Sequence, residues 1–235
     1  MKENCKKVYA EYKFDNGINE ILWIENIEQE ESYDLMYVEV VALDDSIIKN
    51  LNWVTDARKR KNINLAICCT TFNRQQEVKK LYDRLSSKNY LTNKCKLFII
   101  NNGTPIDVPD TEFCKVIKNK NTGGTGGFMR GVLEARKSGQ FTHVMFIDDD
   151  AFCEPLSIKK SISILEYAID DNASIAGAML FLDRPWIQYE AGATLKNFNI
   201  QSNNPNLDLR KSDSLLINAN STECTYGPWW FFIFP

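Results

Sequence analysis

The sequence predicts an α/β domain on a mostly parallel sheet, preceded by a small β-rich segment. Three observations carry that expectation. Between residues 64 and 117 short apolar runs alternate with a helix-period stretch, the pattern of strand, helix, strand units. Residues 142–147 (THVMFI) are too apolar to be solvated and read as the buried centre of a parallel sheet. That run ends on Asp148, Asp149 and Asp150, and the carboxyl ends of such strands are where open α/β sheets bind their ligands.

Taken in order, residues 1–61 differ from the rest of the chain. The runs ILWI and LMYVEVVAL are apolar and β-branched and are separated by the acidic EQEES, so residues 20–27 and 32–43 read as a small antiparallel β unit. Residues 56–62 (DARKRKN) form a charged linker, read as a solvated connection; its basic cluster is the alternative contact for an anionic membrane or acceptor. The expected organisation is therefore residues 1–61 as segment and linker, and 62–235 as the main domain.

Within that domain residues 64–69 (NLAICC) make the first strand, followed by Thr70, Thr71, Phe72, Asn73 and Arg74. Residues 75–87 then carry Val78, Leu81, Tyr82 and Leu85 at helical spacing. Further strands are expected over 96–100, which ends on Asn101, Asn102 and Gly103, and over 113–117, with a helix at 157–169 and a strand at 173–182. Residues 186–195 (WIQYEAGATL) and 221–234 (STECTYGPWWFFIF) set aromatic residues beside glycines, suited to stacking on sugar faces or to packing in a core.

The stretch joining the third strand to the aspartates holds the chemistry. Gly123, Gly124, Gly126 and Gly127 lack Cβ atoms, so a glycine-rich turn there can approach a ligand closely. Residues 128–136 come next at helical spacing, which sets Gly126 and Gly127 near a helix N-terminus, where free N–H groups and the dipole favour anions. Facing carboxylates repel unless a cation or protonation relieves them, and hard oxygen ligands suit Mg²⁺ or Mn²⁺. A metal-bound diphosphate is the ligand that satisfies both halves.

Composition excludes other classes. With a net charge of -3 the chain is not a nucleic-acid binder by bulk charge. Its seven cysteines are odd in number and show no CxxC spacing, which reads as reduced thiols in a cytoplasmic protein. No secretory signal opens it, and the longest apolar run, 229–234, is too short to span a bilayer. His143 is the lone histidine, so His-rich zinc sites and Ser-His-Asp hydrolysis lack parts; it reads as a residue packed at a strand start. A Rossmann dinucleotide enzyme needs its glycines straight after the first strand, and here they come after a later one.

CTTFNR (69–74), INNG (100–103), NTGGTGGFMRG (121–131) and FIDDDAFCEP (146–155) together resemble the nucleotide-sugar half of GT-A, family 2 glycosyltransferases. EAGATL and the Gly227-Pro228-Trp229-Trp230 segment are similar to galactofuranosyltransferases, which also carry a β-rich N-terminal domain. The resemblance implies a GT-A domain that moves a sugar, galactofuranose in those enzymes, from a UDP-sugar to a glycan or lipid-linked acceptor with inversion. It implies that Thr71, Phe72, Asn73 and Arg74 line the donor site, and that Asn102 sits near the uracil where many relatives have Asp. Gly123 to Gly127 and Arg130 would border the diphosphate and donor sugar. Asp148 would lie near the ribose, Asp150 would hold Mn²⁺ or Mg²⁺ with Asp148 beside it, and Asp149 would face the sugar. Trp229 and Trp230 match a tryptophan pair beside the acceptor. Such a protein works in the cytoplasm or at the inner face of the membrane.

One departure stands out. In the relatives the chain continues past the tryptophans to an acidic general base and a metal-ligating histidine, whereas this sequence stops at Pro235. The expectation is a domain incomplete at its C-terminus, with residues 229–234 left as an apolar strand with little chain to cover it. Glu190 and Glu223 are the carboxylates that would otherwise serve as base. The competing reading is a truncated, catalytically incomplete chain that only binds a nucleotide sugar or a partner.

Overall fold

In the computed structural model the described residues are 11, 12, 22, 37–49, 51–219 and 224–235. The chain divides into two units, Met1–Leu43 and Asp44–Pro235. In the first, Leu22 and residues 37–43 form no strand. The rest of the expected N-terminal β unit lies outside the described residues.

The second unit is organised by a six-stranded sheet. Its parallel part is β1 (Leu65–Thr71), β2 (Cys95–Asn101), β3 (Cys114–Lys118) and β4 (His143–Asp148). Between β1 and β2 lie α1 (Gln75–Ser86) and the single turn α2 (Asn89–Thr92). The helix α3 (Gly123–Ser138) connects β3 to β4, and α4 (Pro155–Tyr167) succeeds β4 with proline in its first turn, where the missing N–H costs nothing. After two short strands, β5 (Ile175–Ala176) and β6 (Met179–Leu180), come β7 (Gln188–Glu190), the hairpin of β8 (Ala193–Lys196) and β9 (Asn199–Ser202), the helix α5 (Ser212–Ala219) and β10 (Phe232–Phe234).

The strand order is β3-β2-β1-β4-β10-β5. Strand β1 pairs in parallel with both β2 and β4, while β10 runs antiparallel between β4 and β5. The chain winds outward from β1 to β3 and then crosses back to β4. The order reverses between β1 and β4, and that switch point leaves a crevice at the carboxyl ends of both strands. This is a Rossmann-like, mostly parallel α/β sheet, as the alternation in the sequence predicts.

Alternate residues of β1 feed two cores. Leu65, Ile67 and Cys69 join Val78, Leu81 and Leu85 of α1 and Ile158, Ile162 and Leu165 of α4. Ala66 and Cys68 join Phe98, Phe128, Ala135 and Phe146 under α3. The thiols in these layers are free, and burial pushes those of Cys68, Cys95, Cys114 and Cys153 up to about 12, so they act as small apolar groups. His143 opens β4 at 4% exposure with its Nδ1 3.1 Å from Thr142 Oγ1, a packed strand start.

Three expectations need correction. The glycine-rich segment is not a turn: α3 begins at Gly123, and Gly124, Gly126 and Gly127 are helical. Packing on the sheet overrides the weak helix propensity of glycine. A Cβ on Gly127 would overlap the Thr70 side chain, and one on Gly131 would stand 2.8 Å from Cys68 Sγ, so these glycines let α3 settle onto β1. Of the four, only Gly123 has positive φ, 74°. Second, the strand expected at 173–182 is divided between two sheets: β5 pairs with β10, a ladder that Gly177 N extends by donating to the Phe231 carbonyl at 2.9 Å, whereas β6 pairs with β7 in a separate sheet.

Third, the apolar stretch at 229–234 is covered. Strand β10 inserts between β4 and β5, Ile233 is fully buried, and Trp229 packs edge-on against Phe128 and Phe146 with ring centres 5.3 and 5.0 Å away. The charged stretch at 56–62 is exposed apart from the partly buried Lys61, as a solvated connection should be, and it also contacts α4 and the turn after it. Lys59 Nζ lies 2.6 Å from the Glu166 carboxylate on α4, Arg60 N donates to the Glu166 carbonyl at 2.9 Å, and Lys61 Nζ reaches Asp171 at 3.2 Å.

Candidate functional site

The crevice at the switch point is polar on the β1 side. Thr71 ends β1 almost fully buried, and its Oγ1 donates to Asp149 Oδ2 at 2.7 Å. Arg74, just before α1, lies 3.5 Å from Asp149 and hydrogen-bonds Asp150. The turn between them holds because Asn73 adopts φ 57°, a left-handed conformation asparagine tolerates. Its Oδ1 accepts from Thr104 N at 3.0 Å, which ties this turn to the one after β2. Phe72 stands out at 53% exposure.

Burial makes ionisation of Asp148 and Asp149 unfavourable. Burial, then the neighbouring Asp150 and Asp149, raise the Asp148 carboxyl above the ordinary carboxylate range. Asp149 is raised by burial as well, against the opposing pull of the Thr71 hydrogen bond and Arg74. Raised carboxyl values mean that the ionised forms are disfavoured where they stand, and a cation relieves that. No group of three or more His, Cys, Asp or Glu is assembled for a metal among the described residues. Two carboxylates completed by ligand oxygens and water are nonetheless the donor set Mg²⁺ favours, so the residues fit a divalent ion bound together with a phosphate.

Beside this cluster opens a cleft of about 510 Å³. The first turn of α3 contributes Gly124 and Thr125, β4 contributes Asp148, and β7 contributes Tyr189 and Glu190. Trp229 and Trp230 close it with Tyr226. Glu190 is only 5% exposed and accepts a hydrogen bond from Ser202 Oγ, which binds the hairpin to the cleft wall. Tyr189 stands edge-on to Trp230 with ring centres 6.4 Å apart, and the Trp230 indole N–H is buried without a partner. A carboxylate and aromatic faces together can bind a polyhydroxylated ligand.

The structure therefore brings Gly124, Asp148, Glu190, Trp229 and Trp230 to one cleft, with Thr71, Arg74, Asp149 and Asp150 clustered at the adjoining strand ends. Other sequence candidates sit elsewhere. Gly127 faces Thr70 of β1, Gly126 faces the Thr122 side chain at the start of α3, and Arg130 pairs along α3 with Glu134 at 3.0 Å. Asn102, 8% exposed, turns its amide to Asn119 and Gly123. Glu223 lies outside the described residues. Tyr189, Ile200 and Tyr226 line the cleft without being candidates from the sequence; for the two tyrosines the signal was their place in the aromatic, glycine-bearing stretches, and for Ile200 there was none.

No family model matches the chain, and no curated protein matches it. Among solved structures, the mannosyltransferase PcManGT from Pyrobaculum calidifontis, in complex with GDP-Man and Mn²⁺, is similar with a TM-score of 0.37 and 10% identity. The match covers 52% of this chain and 37% of that one, so the chain spans little more than a third of that protein's length. Likeness at this level carries no functional weight, and the site's own geometry has to. No described helix is long and apolar enough to cross a membrane.

Proposed function

We propose that this chain is a GT-A glycosyltransferase domain that moves a sugar from a UDP-sugar to a glycan or lipid-linked acceptor with inversion. Galactofuranose is the candidate sugar. The observation that carries the reading is the cleft itself, where the N-terminal turn of α3, the strand-end Asp148 and the buried Glu190 meet under an aromatic wall.

Each part has a role in that chemistry. The first N–H groups of α3 have no intrahelical partners and face anions favourably, so Gly124 and Thr125 suit the donor diphosphate. Asp150 and Asp148 would hold Mn²⁺ or Mg²⁺, which when bound offsets the charge of the diphosphate. Trp229, Trp230 and Tyr189 offer flat faces for the acceptor sugar. Glu190 is the base: its carboxylate takes the proton of the acceptor hydroxyl as that oxygen forms a bond to the anomeric carbon. The bond from that carbon to the diphosphate breaks, its electron pair leaves with UDP, and attack from the opposite face inverts the centre. Asp149, held by Thr71 and Arg74, borders the donor sugar.

The main domain at 62–235 bears all of these residues, and the cytoplasm or the inner membrane face, where UDP-sugars meet lipid-linked acceptors, is the expected setting. Incubating the protein with UDP-galactofuranose, Mn²⁺ and a lipid-linked acceptor, with mass spectrometry of the products, tests the proposal. A mass increase of one hexose on the acceptor supports it, and intact donor and acceptor after prolonged incubation count against it.

A further inference from the structure

Asn119, just past the end of β3, is unremarkable as a letter in the sequence, yet it starts a chain of amide hydrogen bonds that ends on the cleft. Its Nδ2 donates to the Lys120 carbonyl at 3.0 Å and to Asn102 Oδ1 at 2.8 Å. Asn102 Nδ2 in turn donates to the Gly123 carbonyl at 3.3 Å. The direction of this relay is not arbitrary. Both of its ends are backbone carbonyls, which only accept, so reversing either amide would set two oxygens face to face. The backbone pins the relay as well: Asn119 N donates to the Asn101 carbonyl and Asn102 N to the Thr71 carbonyl, both at 2.9 Å.

The relay acts on Gly123, the first residue of α3 and the one at φ 74°. Asn121 Oδ1 accepts from Gly123 N at 3.1 Å, so both polar groups of this residue are held by side chains. A trans peptide carries its C=O and the next N–H on opposite sides. Drawing the Gly123 carbonyl toward Asn102 therefore turns the Gly124 N–H away from Asn102. Gly124 is a wall of the cleft. Its N–H is among those at a helix start that no intrahelical carbonyl satisfies.

We infer that Asn119 is a positioning residue: through Asn102 it sets the Gly123 peptide so that the Gly124 N–H is aimed at the diphosphate. The inference rests on the reading of the cleft as a nucleoside-diphosphate site. It also assigns Asn102 to holding the backbone, with its carbonyl oxygen engaged by Asn119.

The test titrates the full chain with three probes, UDP, inorganic pyrophosphate and uridine, and follows the Gly124 amide by NMR with Gly139 as an internal control. Asn119→Ala removes the relay donor without adding charge. Asn119→Asp keeps the side-chain shape but sets an acceptor against two acceptors, and covers the case in which the alanine variant does not fold. The expected result is UDP and pyrophosphate weakened by about tenfold, the order of one oriented hydrogen bond, with uridine unaffected. Equal loss of all three probes, or no loss, overturns the inference. If the wild-type chain binds neither UDP nor pyrophosphate, the functional reading fails by itself. The relay is then decided by the amide signal: a Gly124 shift in the variants with Gly139 still upholds it, and an unmoved Gly124 overturns it.

Discussion

Gly127 and Thr70 meet with no room for a Cβ between them: one on Gly127 would overlap the Thr70 methyl and stand 2.7 Å from its hydroxyl. Gly124, one turn earlier, has open space around the same position. Two glycines of one motif thus do different things. Gly127→Ala is expected to destabilise the fold by about 1–3 kcal/mol through overpacking. Thr70→Ala in the same chain should recover much of that loss, and a denaturant double-mutant cycle reads the coupling. Gly124→Val should instead leave the unfolding midpoint nearly unchanged and block UDP, since its side chain would enter the cleft. Equal destabilisation by both glycine changes would refute this division of labour.

Asp150 is half exposed and paired with a half-exposed Arg74, so its ion pair adds little to the fold. Asp150→Ala is expected to leave the melting temperature close to that of the wild type. UDP affinity should fall sharply, and EDTA should mimic that fall in the wild type. Calorimetry that gives one UDP affinity with and without EDTA would exclude a metal-bound diphosphate.

Glu190 is buried in the cleft wall with Ser202 donating to it. Glu190→Gln keeps the size and an accepting oxygen but removes the base. Transfer should drop by about 10²–10⁴ with UDP affinity unchanged. Full activity in this variant would reassign the base to another carboxylate, Glu223 being the next to change.

Glu166 is 2% exposed on α4 and takes both Lys59 and Lys94. Burial pushes its carboxyl upward, but the two lysine hydrogen bonds outweigh that and hold it below the usual carboxylate range. A lowered folded value means the stabilisation is complete above the unfolded value of about 4.3 and disappears as pH falls through the folded one. Glu166→Gln should cost about 2 kcal/mol at neutral pH, in the range for hydrogen bonds to charged groups. Its stability should also fall less than the wild type's below that point. Parallel stability curves for the two proteins over acid pH would refute the role assigned to Glu166.

Local pattern determined much of this protein without help. The apolar runs at 64–69, 96–100 and 142–147 became β1, β2 and β4 within a residue or two, because a strand buried on both faces has to be apolar, and 113–117 became the edge strand β3, where Lys115 and Lys118 stay exposed. The aspartates at the end of β4 obey the same logic, since a sheet's carboxyl edge is where polar residues interrupt such a run. Contacts between elements distant in the chain decided the rest. Whether NTGGTGGFMRG was a loop or a helix depended on how near β1 came, and a string of residues does not state that distance. Whether 229–234 was exposed depended on a gap between β4 and β5, both far back along the chain, that β10 fills antiparallel. Asn119 looked like one polar residue among several in KNKN; only the folded chain set its amide against Asn102, because a hydrogen bond depends on ångström-scale geometry that composition and spacing do not encode.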